Sequence, residues 1–245
     1  MNQQNKSKGY RKFHTRLLYF FDDIEAVEIM DINKENLAGE RHIFNGVSRA
    51  QFGRLYRRRN TPGSRRNVVS HLKNSVYVSC IKELYEEVML YLGYVLRSAA
   101  MTAPDVNRLI GEQNDIKMKA NDILALQSRE EIVSVIMGQV FRHIERKKDT
   151  YLLINTLNDR LALCVDPEVI NAAMPYLEAR HIFVHADGIA DKEYKKKYSQ
   201  IKLKEGKIYL DSKVIREYIA TAEALVSAFE EKMIKCGYYC DKEYE

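Results

Sequence analysis

The chain has 245 residues, of which 46% are hydrophobic and 30% charged, with a formal net charge of +5. That much apolar residue can bury one large core, while charges recur too often for any run of the roughly 20 apolar residues that a membrane span needs. The first residues, Met1 to Lys8, lack the apolar stretch of a secretory signal, and four unevenly spaced cysteines argue for a reduced, cytoplasmic protein over a disulfide framework.

Only four prolines interrupt the chain, and apolar residues return every three or four positions, which predicts an all-α helical bundle. The first helix is expected from Lys12 to about Met30, burying Leu17, Phe20, Phe21, Ile24 and Val27. A polar stretch through Asn33, Lys34, Glu35 and Asn36 ends it. Residues 54–66 then carry Arg54, Arg57, Arg58, Arg59, Arg65 and Arg66 around Thr61-Pro62-Gly63-Ser64, which reads as a basic loop. The longest helix follows, from Val68 to about Ala100, with Leu72, Val76, Ile81, Leu84, Val88, Leu92, Val95 and Ala99 in register; its length suits the central helix of a bundle.

Further helices are expected at about Asp115–Leu126, Glu130–Arg146 and Tyr151–Cys164. Asp166-Pro167-Glu168 marks a helix entry, with proline tolerated in the first turn. Near the C-terminus Ile201 and Leu203 alternate with lysines, Glu205-Gly206 turns, and Ile208 and Leu210 resume the alternation, which predicts a small β-hairpin. A last helix starts near Asp211 or Ser212 with Ile215, Tyr218, Ile219, Ala222, Leu225, Val226 and Phe229 facing inward. One domain over 1–245 is the simpler organisation; the sequence leaves open whether residues 1–66 belong to the bundle or decorate it.

The helix after Asp166 carries Arg180-His181-Ile182-Phe183-Val184-His185. On a helical wheel Val169, Ala173, Tyr176, Leu177, Phe183 and Val184 fall within about 60° of Arg180, so a guanidinium occupies the apolar stripe. A buried guanidinium without partners is costly, and this one must reach the edge of the bundle or find a partner on another surface. His181 and His185 lie one turn apart on the same flank. Arg66 and His71 have the same spacing as Arg180 and His185 but no apolar stripe behind them. Gly188, three residues past His185, serves as a helix stop.

In this context the segment resembles the HEPN superfamily of ribonucleases and nucleotide-binding proteins, whose members carry arginine, a polar residue, and histidine after four to six residues on a helix of an all-α bundle. The resemblance is strongest from about Glu130 to Phe229. It implies a metal-independent endoribonuclease with Arg180 stabilising the phosphorane, His185 as acid or base, and His181 as a supporting or second proton carrier. It also implies a homodimer with a composite cleft, and a toxin or abortive-infection role in antiviral defence, with an antitoxin or regulatory partner protein. RNA is the expected ligand, with Lys192, Lys195, Lys196, Lys197, Arg57, Arg58 and Arg59 as candidate phosphate contacts and Tyr194 and Tyr198 as candidate base-stacking rings, although solvated lysines and packed tyrosines are the plainer account.

No cofactor, metal or membrane partner is expected. Cys236 and Cys240 lack a second ligand pair, and His14, His42, His71 and His143 show no metal-ligand spacing. Walker, GxSxG and HExxH motifs are absent from the sequence. Two other readings compete: a non-catalytic nucleotide- or RNA-binding scaffold of the same superfamily, and a helical DNA-binding protein using the arginine-rich loop, which lacks a helix-turn-helix signature.

Overall fold

The computed structural model describes residues 6–34, 48, 50–54, 62–102, 106–111, 118–146 and 149–238. Along them run α1 (Lys8–Ile32), α2 (Pro62–Thr102), α3 (Val106–Ile110), α4 (Ala120–Leu124), α5 (Arg129–Glu145), α6 (Thr150–Leu161), α7 (Pro167–His185), α8 (Lys192–Lys197), the strands β1 (Leu203–Lys204) and β2 (Lys207–Ile208), and α9 (Ser212–Lys235). The architecture is all-α, with one small hairpin beside the C-terminal helix.

The long helix α2 is the axis, and α1, α5, α7 and α9 all pack against it. Its predicted register holds at Ile81, Leu84, Val88, Leu92, Val95 and Ala99, all fully buried, whereas Leu72 lies exposed near the start. Because α2 starts at Pro62, Arg65 and Arg66 belong to its first turns and the expected basic loop ends before them. Arg57, Arg58 and Arg59 lie outside the described residues.

Helix α1 belongs to the bundle. Phe13, Leu17, Phe20, Ile24 and Val27 are buried in the same core as α2 and α9, and Gly9 lets α1 approach so closely that a Cβ there would sit 2.3 Å from the Tyr94 ring. Its start is tied down by Ser7, which caps the helix through Tyr10 N and whose own N–H donates to Glu230 of α9 at 2.6 Å. A further departure from the sequence reading is α4. Met118 and Lys119 are non-helical, with Lys119 extended as the N-cap, so this helix begins later than Asp115.

The ends of the remaining helices follow local chemistry. Asp149, Asp166 and Asp211 cap α6, α7 and α9 with their side chains, each satisfying a backbone N–H that has no partner within the helix. Helix α6 stops at Leu161 instead of reaching Cys164, because Ala162 turns left-handed at φ 51° and Cys164 does so again at φ 53°. In the hairpin Leu203 pairs with Ile208 and Lys204 with Lys207, and the intervening Glu205 and Gly206 both have positive φ, the backbone that two-residue hairpin turns demand.

Candidate functional site

Helix α7 is continuous through Pro175. Proline cannot donate to the carbonyl of Asn171 four residues earlier, and Asn171 is exposed, where water can take that role. Two tyrosine hydroxyls grip the helix just past this point. Tyr194 of α8 donates to the Pro175 carbonyl at 2.7 Å, and Tyr218 of α9 donates to the Tyr176 carbonyl. The half of α7 that carries Arg180, His181 and His185 is thereby fixed by both following helices.

The end of α7 is equally determined. Ala186 N and Gly188 N both return to the Ile182 carbonyl, and Gly188 takes φ 80° with the Phe183 ring only 3.0 Å from where a Cβ would stand. The Gly188 carbonyl then accepts from Ile208 N, and Lys207 reaches Asp187 at 2.6 Å, so the hairpin is stitched to the segment directly after His185. The predicted helix stop is therefore real and has a second purpose as the hairpin's anchor.

Arg180, His181 and His185 all line one open cleft of about 640 Å³, together with residues of α2, α5, α6 and α8. The rings of His181 and His185 lie 4.6 Å apart, tilted by 49°, and both residues are exposed. Arg180 meets both demands of its stripe position. It reaches the edge of the bundle at 31% exposure, and Nη2 donates to Glu86 of α2 at 2.7 Å. Tyr85 places its ring 5.1 Å from the guanidinium carbon, a cation–π contact. Burial holds the Tyr85 phenol above its ordinary value, so this ring stays neutral at physiological pH.

The other lining residues give the cleft its charge. Among the described residues, Glu86, Glu145, Asp149, Glu178, Asp191 and Glu193 line it beside two cations, Arg180 and Lys197. Arg180 pairs with Glu86 and Lys197 with Glu178 at 2.8 Å, while Asp149 and Asp191 also serve as helix caps. The described lining of the cleft is thus mainly acidic, a property the sequence reading missed because these carboxylates come from five separate places in the chain.

The lysine cluster divides about α8. Lys197 lines the cleft, but Lys192, Lys195 and Lys196 are exposed outside its described lining; at 100° per residue they occupy the side of α8 opposite the buried Tyr194. Tyr194 and Tyr198 are each 6% exposed and meet edge to face at 5.0 Å, so they are packing residues and offer no free ring to a base. Among the described residues no group of histidine, cysteine or acidic side chains is arranged to hold a metal ion, and no helix is long and apolar enough to cross a membrane. Of Cys236 and Cys240, which the sequence does not favour as metal ligands, the second lies outside the described residues. No family model, no curated protein and no solved structure matches the chain.

Proposed function

We propose that the chain is a HEPN-type, metal-independent endoribonuclease that cleaves RNA by attack of the 2′-hydroxyl, leaving a 2′,3′-cyclic phosphate. The observation that carries this reading is the convergence of Arg180, His181 and His185 on one open cleft, with the two imidazoles 4.6 Å apart. RNA supplies its own nucleophile, so the protein has three tasks: to remove a proton from the 2′-oxygen, to neutralise charge on the phosphorane, and to protonate the 5′-oxygen as its bond to phosphorus breaks. A histidine suits either proton transfer because its ordinary pKa lies near neutrality, and a guanidinium fork suits the equatorial oxygens.

In this scheme Arg180 binds the phosphorane and His185 carries one proton transfer, with His181 as its partner or support. A second copy of the chain completes the cleft by adding its own Arg180 and His185. The biological setting that fits such an activity is a toxin or abortive-infection effector held in check by a partner protein. Incubation of RNA with the protein in EDTA, with product ends read by mass spectrometry, tests the chemistry. Cyclic-phosphate ends are expected, and His185→Ala should lower the rate by about 10²–10⁴-fold. Intact RNA, or cleavage indifferent to His185→Ala, refutes it.

One observation favours a second reading. The acidic lining and the pairing of Arg180 with Glu86 disfavour a bound phosphate and suit the scaffold form of a non-catalytic module that partners another enzyme, which predicts no new cyclic-phosphate ends and retention of function in His185→Ala; nucleotide or RNA binding without cleavage is the other form of that module.

A further inference from the structure

Arg180 faces the cleft already engaged. Its Nη2 donates to one carboxylate oxygen of Glu86, a side chain that is itself 54% exposed. Nε is buried and makes no hydrogen bond among the described residues. The guanidinium fork is therefore only partly used, by a single-oxygen contact that water can reach. Such pairs contribute about 0–1 kcal/mol in general, whereas a phosphate can take two parallel bonds from the same fork. Two anions cannot hold one fork without repelling each other, so a phosphodiester arriving at Arg180 has to displace Glu86.

We infer that Glu86 is a built-in anionic competitor at Arg180, masking the guanidinium in the free protein and yielding it to a phosphodiester. This rests on the reading of the cleft as a phosphodiester site. Glu86 thereby sets the affinity threshold for nucleic acid without taking part in proton transfer, and the Tyr85 ring keeps the guanidinium at the cleft when the carboxylate leaves.

The test is fluorescence anisotropy of the full chain with a labelled single-stranded oligodeoxynucleotide, which has no 2′-hydroxyl and so reports binding apart from cleavage. Glu86→Gln keeps the shape and removes the charge, and is expected to bind about three- to tenfold more tightly at low salt. Glu87→Gln makes the same change in net charge one residue along, at a carboxylate that faces Arg16 at 3.5 Å, and is expected to leave the affinity unchanged. Adding Arg180→Ala to Glu86→Gln should cancel the gain. Equal or weaker binding by Glu86→Gln, an equal gain in Glu87→Gln, a gain that survives Arg180→Ala, or no binding by any variant overturns the inference. Should Glu86→Gln bind more tightly while the wild-type chain leaves RNA intact in EDTA, the competitor stands and the ribonuclease reading alone fails.

Discussion

Glu230 of α9 is fully buried and accepts three hydrogen bonds, from Ser7 N at 2.6 Å, Ser7 Oγ at 2.8 Å and Tyr91 Oη at 2.8 Å. These bonds join the start of α1, the middle of α2 and the end of α9. Burial first, and then the adjacent Glu230, hold the Tyr91 phenol well above its ordinary value, so Tyr91 remains a donor. Glu230→Ala removes all three acceptor contacts at once. A buried donor left without a partner costs about 1–3 kcal/mol, and each ordinary hydrogen bond lost adds about 0.5–1.5 kcal/mol. The two hydroxyls can rotate in search of other acceptors, but the Ser7 N–H cannot, so the loss is placed at about 3–5 kcal/mol, a large share of a typical domain stability of about 5–15 kcal/mol. Glu230→Gln retains a carbonyl for Ser7 N–H and an amide that can donate to both hydroxyl oxygens, and should cost about 1–2 kcal/mol. Urea unfolding followed by circular dichroism measures both as shifts in midpoint at constant slope. Equal losses in the two variants, each below about 1 kcal/mol, would refute the network as the clamp on α1.

Gly9→Ala should destabilise the chain by about 1–3 kcal/mol, since its Cβ would meet the core of the Tyr94 ring at 2.3 Å; unfolding midpoints measure it, and an unchanged midpoint would show that α1 does not lie so close to α2. Cys80 is buried and its thiol is pushed up to about 12 by burial, while Cys164 and Cys236 are exposed. Brief iodoacetamide treatment at neutral pH followed by peptide mapping should therefore modify Cys164 and Cys236 and spare Cys80 until the protein is unfolded. Asp31 is held below the ordinary carboxylate range, chiefly by its hydrogen bond from Lys73, with Lys34 adding to the effect at 3.1 Å. A depressed folded pKa stabilises above the unfolded value and loses that contribution as pH falls through the folded one, so Asp31→Asn should cost about 0.2–1 kcal/mol at neutral pH and nothing in strong acid.

How legible each part of the molecule is in the sequence depends on how local its cause is. The helices α1, α2, α5, α7 and α9 announce themselves through apolar periodicity because each buries one continuous stripe, and Asp166, Gly188 and Asp211 mark ends through contacts within a few residues. The Glu205-Gly206 turn is legible for the same reason. Arg65 and Arg66 are misplaced because arginines around Pro62-Gly63 look like loop, yet proline in a first turn and arginines after it are compatible with a helix. The cleft's second half is not legible at all. Glu86 meets Arg180 across 94 positions of sequence, and on α2 it is simply a polar residue on a polar face. Tyr194 shows the converse case: beside lysines it resembles a base-stacking ring, and only the fold reveals that its hydroxyl is needed by the carbonyl of Pro175.

The separation of charges around α8 gives two kinds of association opposite responses to salt. Among the described residues, Glu86, Glu145, Asp149, Glu178, Asp191 and Glu193 outnumber Arg180 and Lys197 in the cleft, whereas Lys192, Lys195 and Lys196 lie outside its lining. On the composite-site proposal two copies close about a two-fold axis with like surfaces facing each other, which brings acidic lining against acidic lining. Screening shortens the reach of that repulsion from about 10 Å at 0.1 M salt to about 3 Å at 1 M. Self-association through the cleft should therefore strengthen as salt rises, while nucleic acid bound through the lysine side should weaken. Sedimentation velocity over a salt series, run beside anisotropy with the oligodeoxynucleotide, reads both responses on the same protein. A dimer that dissociates as salt increases would mean that oppositely charged surfaces hold the two copies together. That would place the interface away from the cleft and leave each Arg180 and His185 to act within its own chain.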